Sequence, residues 1–325
     1  MKILVTGAGG FIGSHLTEML LEKEHEVRAL VRYSSRGDWG KLREIPEPMR
    51  SRLEVRLGDV RDSFMMRELV EGCDYVFHLA ALIGIPYSYH APASYVATNV
   101  GGALNVLEAC RSARVRRVIM TSTSEVYGTG RYFPMDEAHP LQAQSPYAAS
   151  KIAADKLAES YFCSFDTPVV ILRPFNTYGP RQSARAVIPT ILSQALSGAK
   201  EISLGNLTPE RDLTYVEDTA RAFVLAAETP GIEGQTIHFG QGESVSIGDL
   251  ARRCLKAAGS EAKITSGEER RRPEKSEVDL LRCDASKARS LLGWSPRVAL
   301  SEGLNRTAEY IRNRLELYRH ESYVV

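Results

Sequence analysis

The stretch that decides the fold is Ile3-Leu4-Val5-Thr6-Gly7-Ala8-Gly9-Gly10-Phe11-Ile12-Gly13. An apolar β-rich run passes into glycines, and the glycines open a helical pattern at Ile12–Leu21. Gly7 permits a tight turn, Gly10 lets the backbone approach a pyrophosphate, and Gly13 lets helix and strand pack closely. The free N–H groups and partial positive charge of the helix N-terminus, at Phe11 and Ile12, then face the phosphates. Position gives this glycine triplet its weight, because it sits between a strand and a helix at the head of a repeating series.

The series runs outward from there. Short apolar runs recur at 27–31, 53–57, 75–79, 118–120 and 169–172, with helical patterns between them, as at 103–111 and 147–161. Strands alternating with helices predict a doubly wound parallel sheet, and continuous apolar strands predict burial on both faces. After Asn176 the pattern loosens around Pro180, Pro189, Pro209 and Pro230, and helices are expected to outnumber strands. We expect a dinucleotide-binding domain over 1–176, which also receives about 212–237, interleaved with a smaller mixed α/β substrate domain over 177–325.

Bulk properties exclude several classes of function. Lys and Arg total 41 against 40 for Asp and Glu in 325 residues, so no global field draws nucleic acid or an anionic membrane. No apolar run approaches the roughly 20 residues of a membrane span. Five scattered cysteines without a C-x-x-C argue against a disulfide framework or a zinc site and suit a reducing cytoplasm. The dispersed histidines predict no metal; His78, in the fourth strand, reads as a core residue.

The end of the second strand bears on the cofactor. A dinucleotide site specific for NAD carries an acid about 20 residues past the glycines. Here Arg32 stands there, with Ser34, Ser35 and Arg36 behind it. A guanidinium and hydroxyls suit a 2′-phosphate, so NADP is the first expectation and NAD the second; a solvated loop is the bland alternative. Asp59 and Val60 follow the third strand and Leu79, Ala80 and Ala81 the fourth, in position for adenine and pyrophosphate.

The reacting residues lie further on. Tyr147 and Lys151 are four apart on a helix announced by Ser145-Pro146, so they share a face. Positive charge near a buried phenol favours its phenolate, which can take a proton from a sugar or alcohol hydroxyl as hydride leaves. The fifth strand ends in Thr121-Ser122-Thr123-Ser124-Glu125-Val126-Tyr127-Gly128, at the carboxyl edge where open α/β sheets bind ligands.

With these residues in view, the chain resembles the extended short-chain dehydrogenase/reductases that act on nucleotide sugars. The resemblance rests on the glycine turn, T-S-T-S-E-V-Y-G, S-P-Y-A-A-S-K and R-P-F-N-T-Y-G-P-R-Q, and it spans nearly the whole chain. It implies a Rossmann-type doubly wound sheet, a sugar-nucleotide domain, a tightly bound and recycled NADP or NAD, and a homodimer through two helices per subunit. Within the family, the segments 31–40 and 182–189 most resemble the 4,6-dehydratases of N-acetylglucosamine nucleotides in legionaminic-acid-type pathways.

The resemblance also implies roles. Tyr147 and Thr123 would hold the C4 hydroxyl, with Thr121 and Lys151 beside the cofactor. Glu125 would remove H5 after oxidation at C4, and water would leave from C6. Family dehydratases carry T-D-E, but here Ser124 replaces the Asp that protonates the departing hydroxyl. Either Glu125 performs both transfers, or Ser124 relays through water, or hydride returns to C4 and leaves a 5,6-ene. A C4-epimerase and a UDP-glucuronate decarboxylase are rival activities, and a nucleotide sensor is the non-enzymatic rival. Asn176, Val187, Arg211 and Arg272 would line the nucleotide-sugar site. The apolar faces of 103–110 and 152–162 suit either a dimer contact or packing on the sheet.

Overall fold

The computed structural model describes residues 1–267 and 273–318. Its centre is a sheet of seven parallel strands. Six are β1 (Lys2–Thr6), β2 (Glu26–Arg32), β3 (Leu53–Gly58), β4 (Tyr75–His78), β5 (Arg117–Thr121) and β6 (Val169–Pro174). The seventh, Thr236–Phe239, pairs with β6, and the order across the sheet is seventh, β6, β5, β4, β1, β2, β3. The chain therefore leaves β1 in one direction and returns at β4 in the other. That reversal opens a crevice at the carboxyl ends of β1 and β4, where doubly wound folds bind ligands.

The sheet is covered on both faces, as its continuous Val, Ile and Leu strands require. One face packs Val5, Phe77, Ile119 and Leu172 against Leu16 and Leu20 of the helix Phe11–Glu22, Phe223 of the helix Val216–Glu228, and Trp294. The other packs Leu4, Val76, Val118 and Ile171 beneath the helices Ser63–Val70, Gly102–Ala113 and Pro146–Phe165. Ala103, Val106, Leu107 and Cys110 belong to this second core, so packing inside the chain uses the apolar face of 103–110. Caps set the helix starts: Ser145 Oγ accepts from Ala148 N at 3.1 Å, one residue before Pro146, and Asp62 accepts from Phe64 N and Met65 N.

The chain crosses back after leaving the sheet. The helix Val216–Glu228 lies on the helix Phe11–Glu22, and the seventh strand extends the sheet edge. The remaining C-terminal elements form a third core of Tyr178, Ile191, Leu192, Leu250, Cys254, Leu304 and Ile311. The expectation that helices outnumber strands after Asn176 is corrected. Among the described residues this part holds seven strands of two to four residues and five α-helices. Strands that short carry no readable period-two pattern. They pair as 176–178 with 213–215, 210–211 with 245–246, and 201–204 with 263–266.

Candidate active site

The glycine turn is built by close backbone contacts. Gly7 has φ +70°, and a Cβ there would stand 2.8 Å from Ala80 N, so β1 and the end of β4 meet at this point. A Cβ on Gly13 would collide with the Gly7 carbonyl. Gly10 N donates to Gly7 O at 3.0 Å, and Gly10 precedes the helix that starts at Phe11. A Cβ on Gly10 would meet only Gly7 O, at 3.1 Å, so the turn is open on that side. A backbone bared by glycine at a helix N-terminus fits a dinucleotide pyrophosphate. Thr6 Oγ1 pairs with His78 Nδ1 at 2.9 Å and accepts from Ala80 N at 3.2 Å; His78 is a satisfied core residue.

The loop after β2 folds back over this turn. Gly40 adopts φ +60° against Gly9, and Lys41 N donates to Gly9 O at 3.0 Å. Arg32, Ser34 and Ser35 are exposed at the edge of the crevice. Asp59 is held by Arg61 at 2.6 Å, which keeps its carboxyl below the usual range, with Arg32 adding a smaller push. Val60 is buried against Gly102, while Leu79, Ala80 and Ala81 are half-buried beside the turn.

The second group of candidates gathers at the ends of β5 and β6. Thr123 leaves the strand extended and its side chain accepts from Glu125 N at 3.2 Å, capping the short turn Ser124–Tyr127. The Thr123 hydroxyl also lies beside the Tyr147 phenol. Burial pushes that phenol well above its ordinary value; the neighbouring Thr123 hydroxyl lowers it, and the nearby Glu125 carboxylate raises it again. Thr123, Glu125 and Tyr147 thus converge, with Glu125 half-buried and Ser124 fully buried. Lys151 lies one helical turn behind Tyr147 and donates from Nζ to Thr121 O at 2.5 Å. Burial lowers the Lys151 ammonium and the Asp155 carboxylate opposes that shift.

Side chains that the sequence reading passed over hold this group in place. Asn99 donates to Leu82 O at 2.9 Å and Ser150 Oγ at 2.9 Å and accepts from Leu82 N at 2.8 Å. It thereby ties the loop after β4 to the Tyr147 helix, from a π-helical turn at Val96–Gly101. Tyr95 stands edge-on to Tyr147 with ring centroids 6.2 Å apart. Asn99 carries no short motif. Asp155, four residues after Lys151, was within reach of the helical spacing that found the Tyr–Lys pair.

The proposed sugar-nucleotide residues are more spread out. Asn176 opens the strand after β6, and its Oδ1 is buried with no hydrogen-bond partner. Val187 is half-buried at the first turn of the helix Val187–Leu196. Arg211 is buried, donating to Glu210 O at 2.9 Å and pairing with Glu277 at 3.4 Å. Arg272 lies outside the described residues.

Comparison with known proteins places this geometry. A family model described as GDP-mannose 4,6-dehydratase matches residues 4–307. The chain belongs to that family. Members of the GDP-mannose 4,6-dehydratase family are nucleotide-sugar dehydratases and epimerases of the extended short-chain dehydrogenase/reductase type, so the chain is an enzyme of that class. It is 35% identical to a UDP-glucose 4-epimerase of Mycolicibacterium smegmatis over 97% of this chain and 99% of the relative. It is 33% identical to a dTDP-glucose 4,6-dehydratase of Actinoplanes over 96% of this chain and 98% of the relative. A dTDP-glucose 4,6-dehydratase from Streptomyces venezuelae, solved with NAD bound, superposes with TM-score 0.89 at 30% identity, covering 98% of this chain and 99% of that one. The family's Rossmann-type sheet is the fold observed here.

Proposed function

We propose that the chain is a 4,6-dehydratase of an NDP-N-acetylhexosamine, UDP-GlcNAc or GDP-GlcNAc. The observation that carries this reading is the Glu125 carboxylate gathered with Thr123 and Tyr147, its backbone N–H bound to the Thr123 hydroxyl. A C4-epimerase needs no carboxylate there, because it only turns a ketone over and reduces it again. Tyr147, assisted by the Lys151 charge, takes the proton of the C4 hydroxyl that Thr123 orients. The nicotinamide cofactor supplies the hydride acceptor and, later, the hydride donor. Oxidation at C4 acidifies H5, which Glu125 removes. Ser124 is buried and is a poor acid, which favours Glu125 also protonating the hydroxyl that leaves C6.

The exposed Arg32, Ser34 and Ser35 favour NADP, while the Streptomyces relative binds NAD. Gly7, Gly10, Gly13 and the Phe11–Ile12 N–H groups would cradle its pyrophosphate, with Asp59, Val60, Leu79, Ala80, Ala81 and Thr121 along its length. The unpartnered Asn176 Oδ1, with Val187, Arg211 and Arg272, belongs to the sugar-nucleotide side. Exposed Leu104 and Phe165 on the helices Gly102–Ala113 and Pro146–Phe165 support a homodimer through those helices. Buried free thiols at Cys73, Cys110, Cys254 and Cys283 suit a cytoplasmic setting.

A second reading, C4-epimerase, is favoured by Ser124 where dehydratases carry Asp, and by the Mycolicibacterium relative. Product masses decide between them. Incubation with UDP-GlcNAc, GDP-GlcNAc and UDP-glucuronate should give loss of one water from a GlcNAc nucleotide. An isobaric product, or loss of carbon dioxide from the glucuronate, would overturn the dehydratase reading.

A further inference from the structure

Behind the Tyr147–Lys151 pair lie two buried charges, Asp155 and Arg173, that the proposed chemistry does not use. Lys151, Asp155 and Arg173 are 5%, 2% and 3% exposed. Asp155 Oδ2 accepts from Arg173 Nε at 3.0 Å, Arg173 Nη2 at 2.9 Å and Ser122 Oγ at 2.7 Å. Arg173 Nη1 donates onward to Tyr127 OH at 2.7 Å, and that hydroxyl also bonds His238 Nε2. A buried carboxylate is tolerated when it is paired and hydrogen-bonded. Here Oδ2 takes all three bonds, and burial raises the Asp155 carboxyl against the opposing pull of Arg173 and Lys151.

The placement of this pair is specific. Asp155 follows Lys151 by four residues on the helix Pro146–Phe165, one turn deeper into the protein. Ser122 and Thr121 are consecutive at the end of β5, and they hold Asp155 Oδ2 and Lys151 Nζ respectively. Arg173 comes from the neighbouring strand β6. Three elements thus fix the carboxylate, and through it the ground on which Lys151 stands. The other titratable groups facing Lys151 are Tyr147 on its own helix and His78 from β4, which burial keeps neutral, down to about 3. Asp155 is the group that opposes the loss of the Lys151 proton to burial.

We propose that Asp155, clamped by Arg173 and Ser122, is the positioning residue that keeps Lys151 an ammonium behind Tyr147. The inference rests on the reading of Tyr147 and Lys151 as the hydride-transfer pair. Asp155 touches neither sugar nor cofactor in this scheme. It acts through Lys151, and Arg173 supplies the second cation that makes the buried carboxylate tenable. The Tyr127 contact carries the same clamp to the turn that bears Glu125.

The first test needs no cofactor. In the full chain labelled with ε-¹³C lysine, the Lys151 resonance is identified by its absence in Lys151→Met, and its titration is followed. Asp155→Asn should lower the midpoint by about one pH unit or more, and Asp155→Glu should restore it. The second test reads the alkaline limb of C4 oxidation, followed as reduction of bound nicotinamide by the GlcNAc nucleotide. Asp155→Asn should move that limb to lower pH by a similar amount, and should cost nothing further in a Lys151→Met background. An unmoved titration and limb, or an equal loss in both backgrounds, overturns the inference. If Asp155→Asn does not fold, Asp155→Asn with Arg173→Met removes the stranded cation and carries the same expectations. Lys151→Met at the wild-type rate overturns the hydride-transfer reading and this inference with it. Lys151→Met inactive beside an unmoved Asp155→Asn overturns this inference alone.

Discussion

Single atoms decide much at this site. Gly13 has no room for a methyl group, because the Gly7 carbonyl occupies that space. Gly13→Ala should therefore push the first helix off the turn, and calorimetric titration should show weakened cofactor binding together with a lower Tm. Glu125→Gln keeps the shape and removes the proposed base. Water loss should fall by about 10²- to 10⁴-fold while C4 oxidation stays detectable as reduced nicotinamide in a single turnover. Full turnover in that variant would remove Glu125 from its role. At this scale the sequence was most legible where chemistry and spacing coincide. The glycines, Thr123, Glu125, Tyr147 and Lys151 all lie in short ordered motifs, and the fold brings the last four together. Asn99 escaped notice, and Arg173 was quoted in a motif without a role, because their partners lie 51 and 18 residues away, at Ser150 and Asp155.

Among elements, the helix that carries Tyr147 and Lys151 has the clearest start signal. Ser145 caps it and Pro146 occupies its first position. Ser145→Ala should cost about 1 kcal/mol, read as a lower urea midpoint, and should loosen the turn on which Tyr147 sits. The strands of the first 176 residues were readable because most are apolar runs buried on both faces; β3, at the sheet edge, alternates with Glu54 and Arg56 and is half-buried. The seventh, Thr236–Phe239, was not. It is four residues long, at the sheet edge, and its His238 is buried by partners distant in sequence. The paired strands of two to four residues after Asn176 have the same problem. Their existence follows from the loops that align them, not from a local pattern.

Across the whole molecule, the two halves are joined by polar contacts near the first helix. His15 Nε2 meets Pro180 O at 3.0 Å, and Arg181 pairs with Glu18 at 2.7 Å. Burial first, then the Arg181 charge, lowers His15 from 6.5 to about 4. Between those values the unfolded chain takes up a proton that the folded chain refuses. The His15 contribution is therefore complete above pH 6.5 and is lost as pH falls toward 4. His15→Gln cannot titrate, so the fall in urea midpoint over that window should become shallower by up to one proton equivalent. An unchanged slope would show that His15 is not the residue sensing acid. The same junction reaches the loop over the glycine turn. Glu44 accepts from Tyr310 OH at 2.7 and 2.9 Å and lies 3.7 Å from Arg181 and 3.6 Å from Arg314, while Lys41, three residues earlier, grips Gly9. A latch worked from the C-terminal half thus closes over the glycine turn of the N-terminal half. Tyr310→Phe should speed cofactor escape, measured by displacement, without slowing the first turnover. An enzyme that hands back the same two electrons it borrowed has no used cofactor to discard, and such a bolted door takes nothing from its traffic.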